Sequence, residues 1–411
     1  MRASRRFRRP ALVAVAAASA LTLAACGSSS KSSSSTNTTS GGSTSKKAAG
    51  PSAEFLSLKG VSTAVDLDAG TMKVLADNKV VPSAVSPATI ATANGVTTAT
   101  FPITQGYVSV YPNTVPDYIR GTFSHKGGLK FTAGGKSLSL TDFVVNPGDS
   151  TLTATTTGGP AAPVLDLDGS NVKISTDSSG NTKLDGTVAK LSQVGADALN
   201  KYFGVSIFKQ GIVLGVVHIT ATGTPGPKGT PSSEFLNLKS GPGLNTTVDL
   251  DAATLKVLSD NKVVPSAVSP ATVTTANGVT TASFPITEGY VGVYPATDPN
   301  YIRGTFSHDG GLKFTAGGKS LELTDFIVNP GDSTLSATVT GGSVAQVLDL
   351  DGANVKVSQD ASGNTKLDGT VAKLSQVGAD ALNKYFGVSI FKQGIVLGVV
   401  HITANGTPAP K

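Results

Sequence analysis

The chain has 411 residues, of which 39% are hydrophobic and 15% charged, with no tryptophan and one cysteine. That composition supports folded apolar cores and excludes an intrachain disulfide framework. The formal net charge is +6, but five arginines lie between Met1 and Arg9 without an acid; setting them aside leaves 28 Lys and Arg against 27 Asp and Glu, a net +1 with no basic cluster to draw nucleic acid.

The arginines are followed by an apolar run from Ala11 to Ala25 that ends in Leu23-Ala24-Ala25-Cys26. A basic start and a short apolar stretch are the layout of a secretory signal peptide over residues 1–25, too short to persist as a membrane-spanning helix. The Leu-Ala-Ala-Cys segment resembles the bacterial lipobox, which implies acylation of Cys26 and a place on the outer face of the bacterial cell membrane. Residues 26–50 are Ser, Thr, Gly, Asn, Ala and Lys with no large apolar side chain after Cys26, so they are expected to form a disordered tether.

Beyond the tether the chain is one module written twice. Ser179 to Ala221 recurs unchanged from Ser362 to Ala404, a shift of 183 residues, and looser copies extend the match to residues 51–224 and 231–408. Each copy is long enough for its own core. A Pro/Gly linker over 225–230 joins them.

Within a module the turns are those of antiparallel β structure. Asn94-Gly95 between Thr/Val/Ile-rich runs is a strong hairpin signal, and Gly134-Gly135, Asn146-Pro-Gly-Asp149 and Asp177-Ser-Ser-Gly180 supply further turns. Tyr107, Ser109 and Tyr111 alternate with valines and share one face. Ser192 to Phe203 carries apolar residues at helical spacing, with Ser192 and Gly204 as caps, and reads as one short helix plugging the sheets. The run from Ile212 to Thr220 is apolar on both faces and reads as a central strand. The expected fold is all-β: two tandem antiparallel β-sandwich-like domains, each with one short helix.

The candidate chemistry is sparse. Ala133-Gly-Gly-Lys-Ser137 lacks the first glycine of a phosphate loop and joins two strands, so it carries no nucleotide site. Asp166-Leu-Asp168-Gly169 and Asp66-Leu-Asp68, with their copies at Asp349 to Gly352 and Asp249 to Asp251, read as solvated strand-end carboxylates, and no metal site is expected. No thiol, zinc-protease or nucleophile-elbow motif occurs, so the chain is read as a non-enzyme. Tandem copies suit binding better than catalysis, because linked sites gain avidity.

The four histidines fall two per module: His125 and His218, then His308 and His401. His218 alternates with Leu214 and Val216 and is expected to end a buried strand. His125 lies among glycines, with Tyr107, Tyr111 and Tyr118 upstream, and a phenolate oxygen supported by a histidine can ligate ferric haem. On one unbroken strand, the odd separation of Tyr118 and His125 puts them on opposite faces, which leaves Tyr107 or Tyr111, and by repetition Tyr290 or Tyr294, as the better partners.

The segment Phe123-Ser-His125-Lys-Gly127-Gly-Leu129, followed by Leu138-Ser-Leu140-Thr-Asp-Phe143 and Ser150-Thr-Leu152, resembles the middle of the Htaa domain, and Phe306-Ser-His308-Asp-Gly310-Gly-Leu312 repeats it. The resemblance implies a haem-binding β-sandwich of actinobacterial surface proteins, with His125 and His308 supporting a ligating tyrosine. The expectation is a cell-surface lipoprotein with duplicated binding or interaction modules, haem being the candidate cofactor and another surface protein a candidate partner. The alternative is a structural or adhesive surface spacer with no small-molecule site.

Overall fold

Asn94 and Gly95 both take positive φ, 50° and 80°, so the chain reverses there in a tight turn whose twist matches the strands on either side. The same chemistry punctuates the whole chain in the computed structural model, which describes residues 51–112, 118–157, 159–226, 229–295, 301–341 and 343–408. The leader, Cys26 and the tether lie outside the described residues. Module 1 runs through β1 (Ala53–Phe55), β2 (Lys59–Leu67), α1 (Ala69–Asp77), β3 (Val81–Val85), β4 (Thr89–Ala93), β5 (Val96–Val110), β6 (Ile119–His125) and β7 (Gly128–Ala133). It continues through β8 (Lys136–Asn146), β9 (Thr151–Thr156), β10 (Ala161–Asp168), β11 (Lys173–Thr176), β12 (Thr182–Leu191), α2 (Gln193–Phe203) and β13 (Val213–Thr222).

The pairings of module 1 return to their starting point. β5 pairs β2, β2 pairs β13, β13 pairs β12, and β12 pairs β10, every pair antiparallel. From β10 the path continues through β9, β8 and β6 and back to β5. The layers of the expected sandwich are therefore joined along both sides into a closed barrel, which leaves no unpaired edge in the ring. Module 2 closes in the same way, with the counterpart of β5 divided into Val279–Phe284 and Ile286–Val293 around Pro285.

The expected helix is α2. Ser192 caps its start by accepting from the Gly195 amide, and Gly204 ends it at φ 70°. Each module holds a second helix where only one was expected, α1 and its counterpart α3 (Ala252–Asp260), directly after the aspartates read as strand-end carboxylates. The reason is capping. Asp68 and Asp251 are not free strand-end carboxylates but N-caps, each accepting from the amide three residues on, at 2.7 Å. A fourth helix, α4 (Gln376–Phe386), repeats α2.

Two large apolar clusters, one per module, form separate cores, Leu58 to Ala221 and Phe235 to Ala404. Part of the linker joins the fold, since Gly226 N–H donates to Glu54 O at 2.9 Å and Leu56 N–H to Thr224 O at 2.8 Å. A third, small cluster of Leu56, Tyr107, Leu236 and Tyr290 draws on both modules. It marks a buried seam in which equivalent residues meet about a pseudo-twofold axis. The hydroxyls of Thr122 and Thr305 meet there, and those of Ser124 and Ser307 lie 2.8 Å apart.

Candidate functional site

β6 separates two environments, and strand alternation sorts its residues between them. Ile119, Phe123 and His125 face the barrel interior, while Arg120, Thr122 and Ser124 face the seam.

On the interior side each barrel encloses a cavity, about 390 Å³ in module 1 and about 580 Å³ in module 2. Every strand of the ring contributes lining residues, among them Val65, Phe101, Leu140, Leu152, Leu167 and Ile219. Met72 and Leu75 of α1 close one side. An eight-stranded barrel is the size at which the interior either fills with side chains or holds one small ligand. These volumes lie within the range of small-molecule sites.

His125 is the principal polar group in this lining. Its Nδ1 lies 3.0 Å from the Phe143 carbonyl oxygen and its Nε2 lies 2.6 Å from the Thr63 hydroxyl. A carbonyl only accepts, so Nδ1 carries the proton and Nε2 accepts from Thr63. Burial pushes the imidazole down to about 4, with the Phe143 carbonyl opposing the shift, so the ring is neutral at pH 7. His308 repeats the arrangement with Phe326 and Thr246 and is also pushed down to about 4.

The tyrosines divide between the two environments. Tyr118 and Tyr301 line the cavities with His125 and His308. β6 begins at Ile119, so Tyr118 precedes the strand and the parity argument that set it apart from His125 does not apply. Tyr107, Tyr111, Tyr290 and Tyr294 lie in the seam instead. The structure does not bring these four together with a histidine, so the donor set expected for haem, a phenol of this group beside His125 or His308, does not fit.

The seam binds its four tyrosines to two buried carboxylates. Glu54 accepts from Tyr107 of its own module and from Tyr294 of the other, and its second oxygen takes Arg303 Nη1 at 2.6 Å. Glu234 accepts from Tyr290 at 2.5 Å and Tyr111 at 2.7 Å, and it pairs with Arg120. Tyr107 and Tyr290 stack at 5.2 Å. Arg303 lies over the Tyr294 ring at 3.6 Å and Arg120 over Tyr111 at 4.1 Å. Burial, aided by the glutamates, raises all four phenols well above their ordinary range. They are neutral hydrogen-bond donors, which suits holding two modules together.

His218 departs from its expected place. A register shift between Ala189 and Lys190 resets the alternation of β13, so Val217, Ile219 and Ala221 face inward. His218 lies on the outer face with its side chain 38% exposed, its ring nitrogens 3.5 Å from Asp66 and 3.3 Å from Asp185.

No protein-family profile matches the chain, and no curated protein does. Among solved structures, the chain is similar to the C-terminal domain of HtaA from Corynebacterium glutamicum at 16% identity and a TM-score of 0.27, over 42% of this chain and 99% of that domain.

Proposed function

We propose that the chain is a non-enzymatic binding protein, held by acyl groups on Cys26 at the outer face of a bacterial cell membrane, whose modules each take an apolar small molecule into the barrel interior. The supporting observation is the pair of cavities, which recur in both copies and are walled by apolar side chains around a neutral, fully bonded histidine. A core that only had to be stable would close such space, because each unfilled volume costs packing energy.

Haem enters this reading as one apolar candidate. Tyr118 and Tyr301, rather than the seam tyrosines, would be the phenols to hold its iron, and haem would supply a visible spectrum as the report of binding. The alternative of a surface spacer draws support from the seam, since buried ion pairs between modules suit a stiff rod.

The test uses the full chain carrying Cys26→Ser and the dye N-phenyl-1-naphthylamine, whose fluorescence rises in apolar surroundings. Saturable uptake is expected, reduced when Leu129→Trp fills the first cavity and nearly lost when Leu312→Trp also fills the second. A parallel haem titration should show a Soret shift that Tyr118→Phe and Tyr301→Phe diminish if haem is the occupant. Absence of saturable dye and haem uptake contradicts the binding reading and leaves the spacer.

A further inference from the structure

We infer that the occupant of each barrel is an uncharged lipid with one long hydrocarbon chain, of the monoacylglycerol type. This rests on the reading that the barrel interiors bind apolar molecules, and it names the class by three observations.

The first is shape. In module 2 a further apolar cavity of about 320 Å³ shares Asp251, Thr254, Leu258, Phe314, Leu348 and Leu397 with the larger one and extends between α3 and α4. Space that continues past one end of a barrel suits a flexible chain more than a rigid disc. Asp251 caps α3 and the Thr254 hydroxyl donates to the Val396 carbonyl, and the rest of the shared wall is aliphatic and aromatic, so methylenes seated there leave water favourably.

The second is charge. Among the described residues of the two linings, the charged groups are already committed. Asp168 pairs with Lys190 and Asp351 with Lys373, both at 2.8 Å. Asp251 caps α3, and Asp349 accepts from Gln346 at 2.8 Å. An anionic head, whether a fatty carboxylate or a haem propionate, finds no uncommitted cation and several carboxylates nearby. An uncharged head avoids that cost of burying an unpaired charge.

The third is the polar margin. The single Tyr301 hydroxyl proton is shared between the carbonyl oxygens of Gly352 and Val355, each at 3.3 Å. Both distances are long for an O–H···O bond. A hydroxylated head can donate to the same carbonyls at better geometry, displacing the phenol without leaving a carbonyl unpaired. The corresponding residues Tyr118, Gly169 and Val172 line the cavity of module 1.

The experiment preloads the full Cys26→Ser chain with N-phenyl-1-naphthylamine and adds monooleoylglycerol, oleate or haem at neutral pH. Monooleoylglycerol should displace the dye, and oleate, with the same chain and a charged head, should need at least about tenfold more. Displacement by monooleoylglycerol should vanish in the doubly filled Leu129→Trp, Leu312→Trp chain. Oleate or haem displacing as well as or better than monooleoylglycerol overturns the inference while leaving the binding reading intact. Displacement by monooleoylglycerol that survives both fillings also overturns it, and failure of both the dye and haem to bind overturns both readings.

Discussion

Glu54 and Arg303 stand 249 positions apart in sequence and 2.6 Å apart in space, with neither side chain more than 3% exposed. Their mirror pair, Glu234 and Arg120, runs the other way across the seam. Each module thus extends one carboxylate into its twin. Removing one partner strands a buried charge, so Arg303→Met should cost about 3–5 kcal/mol, whereas the double change Glu54→Leu with Arg303→Met should recover much of it. Denaturant melts of the two single variants and the double variant complete the cycle; a double-variant loss equal to the sum of the two single losses would show that the pair is not coupled.

The same symmetry predicts what an isolated module does. Residues 51–226 present Glu54, Tyr107, Tyr111, Arg120, Thr122 and Ser124, a set that two copies could satisfy about a true twofold axis. The isolated first module should therefore form a dimer by analytical ultracentrifugation. The isolated second module should pair more weakly, because Lys126, which lies 2.9 Å from Asp142 and 3.4 Å from Asp325, is replaced there by Asp309.

The buried histidines set the acid limit of stability. Each has a folded pKa of about 4 against an ordinary 6.5, so between those values the unfolded chain binds more protons and stability rises with pH. A drop from pH 7 to pH 4 should remove roughly 3 kcal/mol per histidine, and His125→Gln should flatten half of that slope. Urea midpoints measured across this range give the slope directly; an unchanged slope in the variant would exclude His125 as its source.

Glu288 works in the opposite direction. Burial and the nearby Asp149 push its carboxyl up to about 7, although Asn146 donates to it at 2.9 Å. Lys239 stands 3.1 Å from its second oxygen, but not in hydrogen-bonding geometry. The folded chain keeps that proton where the unfolded chain has lost it, so this group's contribution falls as pH rises from 4.5 to 7. Glu288→Gln, the residue that module 1 carries at Gln105, should raise stability at pH 8 by roughly 1–3 kcal/mol and leave stability at pH 4 nearly unchanged.

Gly121 joins the two environments of β6. Its φ is +126°, and a Cβ there would fall 2.0 Å from the Tyr107 carbonyl oxygen. Gly121→Ala should therefore break the register between β5 and β6 and cost more than about 3 kcal/mol, a loss that thermal melting would reveal. A variant as stable as the parent would mean that the two strands are not held this closely.

The duplication, the hairpin turns and α2 were legible because they rest on local signals: an exact repeat, Asn-Gly and Gly-Gly turns, and caps at Ser192 and Gly204. Closure of the barrel was not, because it depends on which distant strands pair, and β2 meets β13 across most of a module. α1 escaped notice because Asp68 looks the same in sequence whether it ends a strand or caps a helix. The seam was hidden for a related reason. Tyr107, Ser109 and Tyr111 were correctly placed on one face, but nothing local says that this face meets the other module rather than a cofactor. His125 stood out by scarcity, while its partner Thr63 carried no signal of its own.

The most direct measurement is native mass spectrometry of the full Cys26→Ser chain after incubation with monooleoylglycerol. Occupied barrels predict mass additions of one ligand per module, falling to a single addition when Leu129→Trp fills the first. A spectrum without additions, or additions unaffected by filling both cavities, would contradict the account.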